Sequence, residues 1–185
     1  MSNLTNWTDR GTCILFGDGA GAAVIQAGEG TFYTPATHSE GTKGEALTCR
    51  SRHDESRLSD AIRQYPKEAY QMQMDGRAVF QFAVKKVPDV IREVLEKNEV
   101  GKEEIDWYIL HQANQRIVEG AAKRLKEPLE KFPMNLKEYG NTSSASIPIL
   151  LDEMKKDGRL KSGQKVIMAG FGAGLTWGAS LLEWK

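Results

Sequence analysis

From Gly76 onward the apolar residues recur at helical spacing. Val79, Phe80, Ala83, Val84, Val87, Val90, Ile91, Val94 and Leu95 fall three or four positions apart, which puts them on one face of a helix. Pro88 interrupts this run. Proline has no N–H to give and its ring crowds the turn before it, so the pattern predicts a kink or two abutting helices there. Ile105 to Leu110 is a compact apolar run that ends at His111, and it reads as a buried strand. Ile117, Ala121 and Leu125 mark one face of the next helix. A further helix runs through Ile147, Leu150, Leu151 and Met154. Ser143 to Ser146 offer caps at its start, and Gly158 ends it. Lys165 to Ala169 and Leu175 to Trp184 read as two strands joined by the glycine-rich stretch Gly170 to Gly174.

The first third of the chain is less regular. Cys13 to Phe16 and Ala22 to Ile25 are short apolar pieces on either side of Gly17-Asp-Gly-Ala-Gly21, and they predict two strand pieces around a tight turn. Thr31 to Thr34 is a third candidate strand, and residues 38–66 read as a long polar surface excursion. Strands alternate with helices, which makes the fold class α/β. No repeat, low-complexity stretch or composition break divides the chain, so residues 1–185 read as a single domain.

Composition narrows the function classes. The 185 residues carry 25 basic and 25 acidic side chains, so the net charge is zero and the basic surplus of a general nucleic-acid binder is absent. No apolar run approaches the length of a membrane span. Met1 to Arg10 has neither the charged nor the apolar region of a secretory signal. Cys13 and Cys49 form no CxxC pair, so the expected setting is the cytoplasm, with both thiols reduced.

Chemistry gathers in three places. His111 lies in Trp107-Tyr-Ile-Leu-His-Gln-Ala-Asn114, and Asn141 lies in Tyr139-Gly-Asn-Thr-Ser-Ser-Ala-Ser146. Gly170-Phe-Gly-Ala-Gly-Leu-Thr-Trp-Gly178 follows. A neutral imidazole, a primary amide and free backbone N–H groups can together hold an oxyanion or an enolate. The plainer reading of His111 is a satisfied polar residue in the core. His38 and His53 lack partners at metal-ligand spacing, so no metal is expected and both read as surface residues. Gly17 to Ala22 formally fits a dinucleotide fingerprint, but no long helix follows, which favours a close-packed turn. Arg116, Lys123 and Arg124 lie off the apolar face of their helix; they form either a solvated face or a docking patch for an acidic partner.

Taken together, Asp9-Arg-Gly-Thr12, Phe16-Gly-Asp-Gly-Ala-Gly-Ala22, His111-Gln-Ala-Asn114, Gly140-Asn-Thr-Ser143, Phe171-Gly-Ala-Gly174 and Thr176-Trp-Gly178 resemble the β-ketoacyl-acyl carrier protein synthase III family. The resemblance implies a thiolase-like α/β fold, of which this chain is the C-terminal half: a mixed sheet with helices on both faces. Residues 1–30 would be the last strand region of the N-terminal half. It implies a condensing enzyme that joins acyl-coenzyme A to malonyl-acyl carrier protein and starts fatty-acid synthesis. The full-length enzyme would be a homodimer that uses coenzyme A thioester as substrate and needs no cofactor. His111 and Asn141 would be two members of a Cys-His-Asn triad. The family's nucleophilic cysteine has no counterpart in the motifs around Cys13 or Cys49, so the N-terminal half would have to supply it. Gly172 and Ala173 would form the oxyanion loop. Arg10, Gly76, Phe80 and Asn114 would line the coenzyme A and pantetheine channel. Arg116 and Lys123 would receive the carrier protein. Two readings stand beside this one: a non-catalytic folding or binding module that depends on the other half, and a different thiolase-superfamily synthase.

Overall fold

The computed structural model describes residues 1–26, 28–49 and 70–185. Its centre is a four-stranded mixed sheet in the order β1 (Ala36–Ser39), β6 (Thr176–Glu183), β5 (Lys165–Gly172), β4 (Trp107–Leu110). β4 runs parallel to β5 with Leu110 opposite Ala169, while β5 and β6 form an antiparallel hairpin with Gly172 opposite Thr176. β1 lies antiparallel on the outer edge of β6. A two-stranded ribbon, β2 (Leu47–Thr48) with β3 (Gln73–Met74), sits apart from this sheet.

Side chains alternate across the strands, and each face has its own core. Tyr108, Leu110, Ile167, Ala169, Ala179 and Leu181 point to one face, where they meet Val87, Val90, Ile91 and Val94 of α2 (Gly76–Lys97) and Val118, Ala121 and Ala122 of α3 (Gln115–Leu125). Ile109, Val166, Met168 and Leu182 point the other way and meet Leu150, Leu151 and Met154 of α5 (Ser146–Lys156). The remaining α-helices are single turns, α1 (Arg10–Cys13) and α4 (Leu136–Tyr139). Helices on both faces of a mixed sheet are the architecture expected from the strand and helix periods.

Local chemistry sets the helix starts. The Asp75 carboxylate accepts the N–H groups of Arg77 and Ala78 at 3.0 Å each and opens α2. Asn114 does the same for α3 by accepting Arg116 N–H at 2.9 Å. Lys126 closes α3 in the left-handed conformation.

Four expectations fail. α2 runs unbroken through Pro88 instead of dividing there. The buried Val87, Val90 and Ile91 around the proline hold the helix together where local geometry favours a break. Residues 13–16 and 22–25 form no strands: Cys13 closes α1, Phe16 makes only an isolated bridge to Asn141, and Val24 and Ile25 stand exposed. Among the described residues of 1–30 the chain pairs no strand with another. The edge strand falls at Ala36–Ser39, after the expected Thr31–Thr34. α5 has no side-chain cap, and the hydroxyl of Ser146 is engaged elsewhere. Of the expected polar excursion, residues 38–49 hold the end of β1, a 3-10 turn and β2; residues 50–66, His53 included, lie outside the described residues.

The glycines of Gly17-Asp-Gly-Ala-Gly21 do pack closely, though not between strands. A Cβ on Gly17 would stand 2.0 Å from the Tyr139 carbonyl oxygen, and one on Gly21 2.4 Å from the Pro148 ring. The segment is glycine-rich because it lies directly on the loop and helix start that carry Asn141.

Candidate active site

β4 delivers His111 to the end of the sheet, where its backbone N–H continues the ladder to Ala169 C=O at 2.8 Å. The ring packs edge-on against Phe171 of β5, with centroids 5.3 Å apart. Nδ1 lies 2.7 Å from Ser146 Oγ. Burial pushes the imidazole pKa down to about 4, because a charged ring would lose its hydration there without a counter-ion. His111 is therefore neutral around pH 7 and has a donor to offer.

Asn141 is fixed by its neighbours on both sides. Its N–H donates to Leu15 C=O at 2.8 Å and its C=O accepts Gly17 N–H at 3.0 Å. Its side-chain Oδ1 accepts Ser143 N–H at 2.9 Å, which leaves the Nδ2 hydrogens for other acceptors. The turn requires two left-handed residues, Gly140 at φ +65° and Ser143 at φ +57°. A Cβ on Gly140 would meet the Leu15 carbonyl oxygen at 2.9 Å, so both conformation and space select glycine.

His111, Asn141, Gly172 and Ala173 line one cavity of about 330 Å³. Gly76, Phe80 and Asn114 line it as well, and its apolar wall includes Leu47, Met74 and Val79. Three of the four expected channel residues thus meet at the cavity. Arg10 does not: it opens α1 as an exposed side chain, and its neighbour Gly11 lines the wall in its place. Arg116 stands at the rim with its guanidinium 5.1 Å from the Phe80 ring centroid. Lys123 is exposed two turns further along α3. The Arg124 guanidinium lies 3.9 Å from Asp89, so part of this basic face is already paired.

Sequence reasoning missed Ser146, which contacts the key imidazole, and Phe171, which packs on it. Ser146 was visible only as a helix-cap candidate. Cys49 also lines the cavity, with its Sγ 3.6 Å from the Tyr70 carbonyl oxygen. No group of three or more metal-ligating side chains occurs among the described residues, and none of their helices is long and apolar enough to cross a membrane.

The architecture and the cavity at the strand ends define a thiolase-like α/β protein. Solved structures agree: 3-oxoacyl-[acyl-carrier-protein] synthase III from Aquifex aeolicus VF5 superposes with a TM-score of 0.86 at 40% identity, covering 99% of this chain and 55% of that one. The sequence model of the C-terminal region of 3-oxoacyl-[acyl-carrier-protein] synthase III matches residues 95–184, and the model of its preceding region matches residues 1–41. Among curated relatives, the β-ketoacyl-[acyl-carrier-protein] synthases III of Microcystis aeruginosa and Clostridium novyi are 45% and 46% identical over the whole of this chain, which spans 56% of each. The chain belongs to the 3-oxoacyl-[acyl-carrier-protein] synthase III family and spans about half the length of the curated relatives it matches.

Proposed function

We propose that this chain carries the His-Asn side of a condensing active site that joins an acyl-coenzyme A unit to malonyl-acyl carrier protein. The observation that carries the reading is the convergence of His111, Asn141, Gly172 and Ala173 on one cavity in a chain of this family. When the malonyl thioester loses carbon dioxide, the electron pair of the broken C–C bond spreads onto the thioester oxygen. A neutral imidazole N–H and the Asn141 Nδ2–H stabilise that oxygen as charge grows on it. The enolate carbon then attacks an acyl thioester, a new C–C bond forms, and the thiolate leaves. The backbone at Gly172 and Ala173 receives the oxyanion of that second step.

Gly76, Phe80 and Asn114 form the mouth through which a pantetheine arm reaches the cavity. Arg116 and Lys123 attract the acidic carrier protein, with Arg10 outside the cavity wall as a peripheral cation. The acyl-bearing cysteine belongs to the part of the relatives that this chain does not span, and the working assembly is a dimer of complete enzymes in the cytoplasm. Coenzyme A thioester is a substrate here, and the chemistry asks for no metal or cofactor.

The test is reconstitution. The chain alone, incubated with radiolabelled acetyl-coenzyme A, is expected to take up no stable label, because two-step transfer needs a covalent carrier. Co-expression with the cysteine-bearing segment of a relative should restore malonyl decarboxylation. His111→Ala or Asn141→Ala in that pair should each lower decarboxylation about 100- to 1,000-fold, the usual effect of deleting one oxyanion donor. A pair that decarboxylates equally well without His111 would remove the reading, as would turnover with stable label on Cys49 of the chain alone.

A further inference from the structure

His111 has two ring nitrogens, and donation to an oxyanion demands that the proton sit on the one not held by the protein. We propose that Ser146 is the positioning residue that sets this: its hydroxyl donates to His111 Nδ1 and confines the imidazole proton to Nε2. The inference deepens the functional reading above and rests on it for its catalytic meaning, but the tautomer itself is a property of the chain.

The argument is a count of donors and acceptors. Ser146 Oγ has one hydrogen and two lone pairs. Gln112 N–H, which can only donate, takes one lone pair at 3.2 Å. The remaining neighbour is His111 Nδ1 at 2.7 Å, a short contact. If Nδ1 carried the proton, Oγ would accept twice, and its own hydrogen would need a further acceptor. Ser146 makes no other hydrogen bond among the described residues, and the residue is 2% exposed. Only the arrangement in which the hydroxyl donates to Nδ1 satisfies all three groups, and a buried unsatisfied hydroxyl is costly. The contact is also rigidly mounted. Ser146 begins α5, whose N-terminal half packs on the sheet through Ile147 and Leu150, and Gln112 is fully buried. The Gln112 side chain donates to Leu110 C=O at 2.8 Å and accepts Asn135 N–H at 3.3 Å, which pins the backbone next to His111. Ser146 is the first residue of α5, behind Ala145 at the N-cap position, and its hydroxyl is turned to the histidine.

The experiment uses the full 185-residue chain labelled with ¹⁵N at its histidine side chains. At pH 7, His111 should show one tautomer, with Nδ1 unprotonated and Nε2 protonated, and a slowly exchanging Ser146 hydroxyl proton correlated to Nδ1. Ser146→Ala should populate the Nδ1–H tautomer and abolish that hydroxyl correlation, while Ser146→Thr should restore the single tautomer. A role confined to packing would leave the tautomer unchanged in Ser146→Ala, and that outcome overturns the proposal. So does a wild-type ring protonated on Nδ1, which is the result expected if water in the adjoining space accepts the hydroxyl proton instead. Should Ser146→Ala fail to fold, the wild-type and threonine spectra decide, because loss of the hydroxyl correlation in both contradicts the assignment. Failure of reconstituted decarboxylation with the tautomer intact would count against the functional reading and leave this one standing.

Discussion

Burial makes His111 a source of pH dependence. Its folded pKa, about 4, lies below its ordinary 6.5, so the unfolded chain takes up the proton first as pH falls. Stability therefore rises with pH between about 4 and 6.5 and is fully present above that window, and the full effect is about 3 kcal/mol. Urea unfolding of the wild type and of His111→Gln at pH 7.5 and pH 4.5 checks this, because the difference between them should shift in favour of the variant at low pH. A constant difference would mean that the ring titrates normally. Gly140→Ala acts on the neighbouring asparagine. The new Cβ meets Leu15 C=O and sits at φ +65°, so a loss of about 1–3 kcal/mol is expected. A larger loss of reconstituted activity should accompany it as Asn141 moves. His111 was legible as a residue because it ends an apolar run, and Asn141 because it follows Gly140 in a polar loop ahead of a helix. The partner of His111 was not. Ser146 is distant from His111 in the chain, and no local pattern tells a serine that caps a helix from one that turns away from it.

At the scale of elements, legibility followed how much of the stabilisation is local. α2 and α3 announced themselves because one apolar face must recur every three or four residues to meet the sheet. The pieces at residues 13–16 and 22–25 have equally apolar sequences, but a strand exists only beside another strand, and none runs there. Sequence patterns record the first condition and not the second. Pro88 shows the converse, where tertiary burial overrides a local signal. The cap of α2 offers a quantitative check. Asp75→Ala leaves the N–H groups of Arg77 and Ala78 without their shared acceptor and should cost about 1 kcal/mol in urea unfolding. Because Gly76 and Phe80 line the cavity, fraying of this turn should, if the cavity takes a pantetheine thioester as proposed, weaken that binding more than it weakens the fold. Equal retention of binding and loss of stability would place the mouth elsewhere. The α3 face makes a separate claim. If Arg116 and Lys123 receive the carrier protein, affinity should fall with salt, since exposed charges are screened beyond about 8 Å at physiological ionic strength. Arg116→Glu should weaken it further, and binding indifferent to both would leave these cations as ordinary solvated side chains.

The whole molecule is well packed on one side of its story and open on the other. Two apolar clusters cover the two faces of the sheet, yet Ile14 is 73% exposed, Val24 98%, Ile25 94% and Phe32 86%. These four residues lie in the pieces 13–16, 22–25 and 31–34, which had the sequence of strands and formed none. Each represents about 1.5–3 kcal/mol of burial that the isolated chain leaves unrealised. Apolar surface of this kind drives association. The chain by itself is therefore expected to self-associate in a concentration-dependent way, with sedimentation velocity showing species larger than the 20.6 kDa monomer. Replacing Val24, Ile25 and Phe32 together by Asp should shift the chain toward monomer while leaving its unfolding midpoint nearly unchanged, because none of the three belongs to the buried clusters. Co-expression with the cysteine-bearing segment of a relative should suppress the association in the unmodified chain, and the triple variant should lose that rescue along with its self-association. A chain that stays monomeric up to the concentrations used for spectroscopy would show that these side chains are merely solvated, and the burial argument for a complementary segment would fall with it.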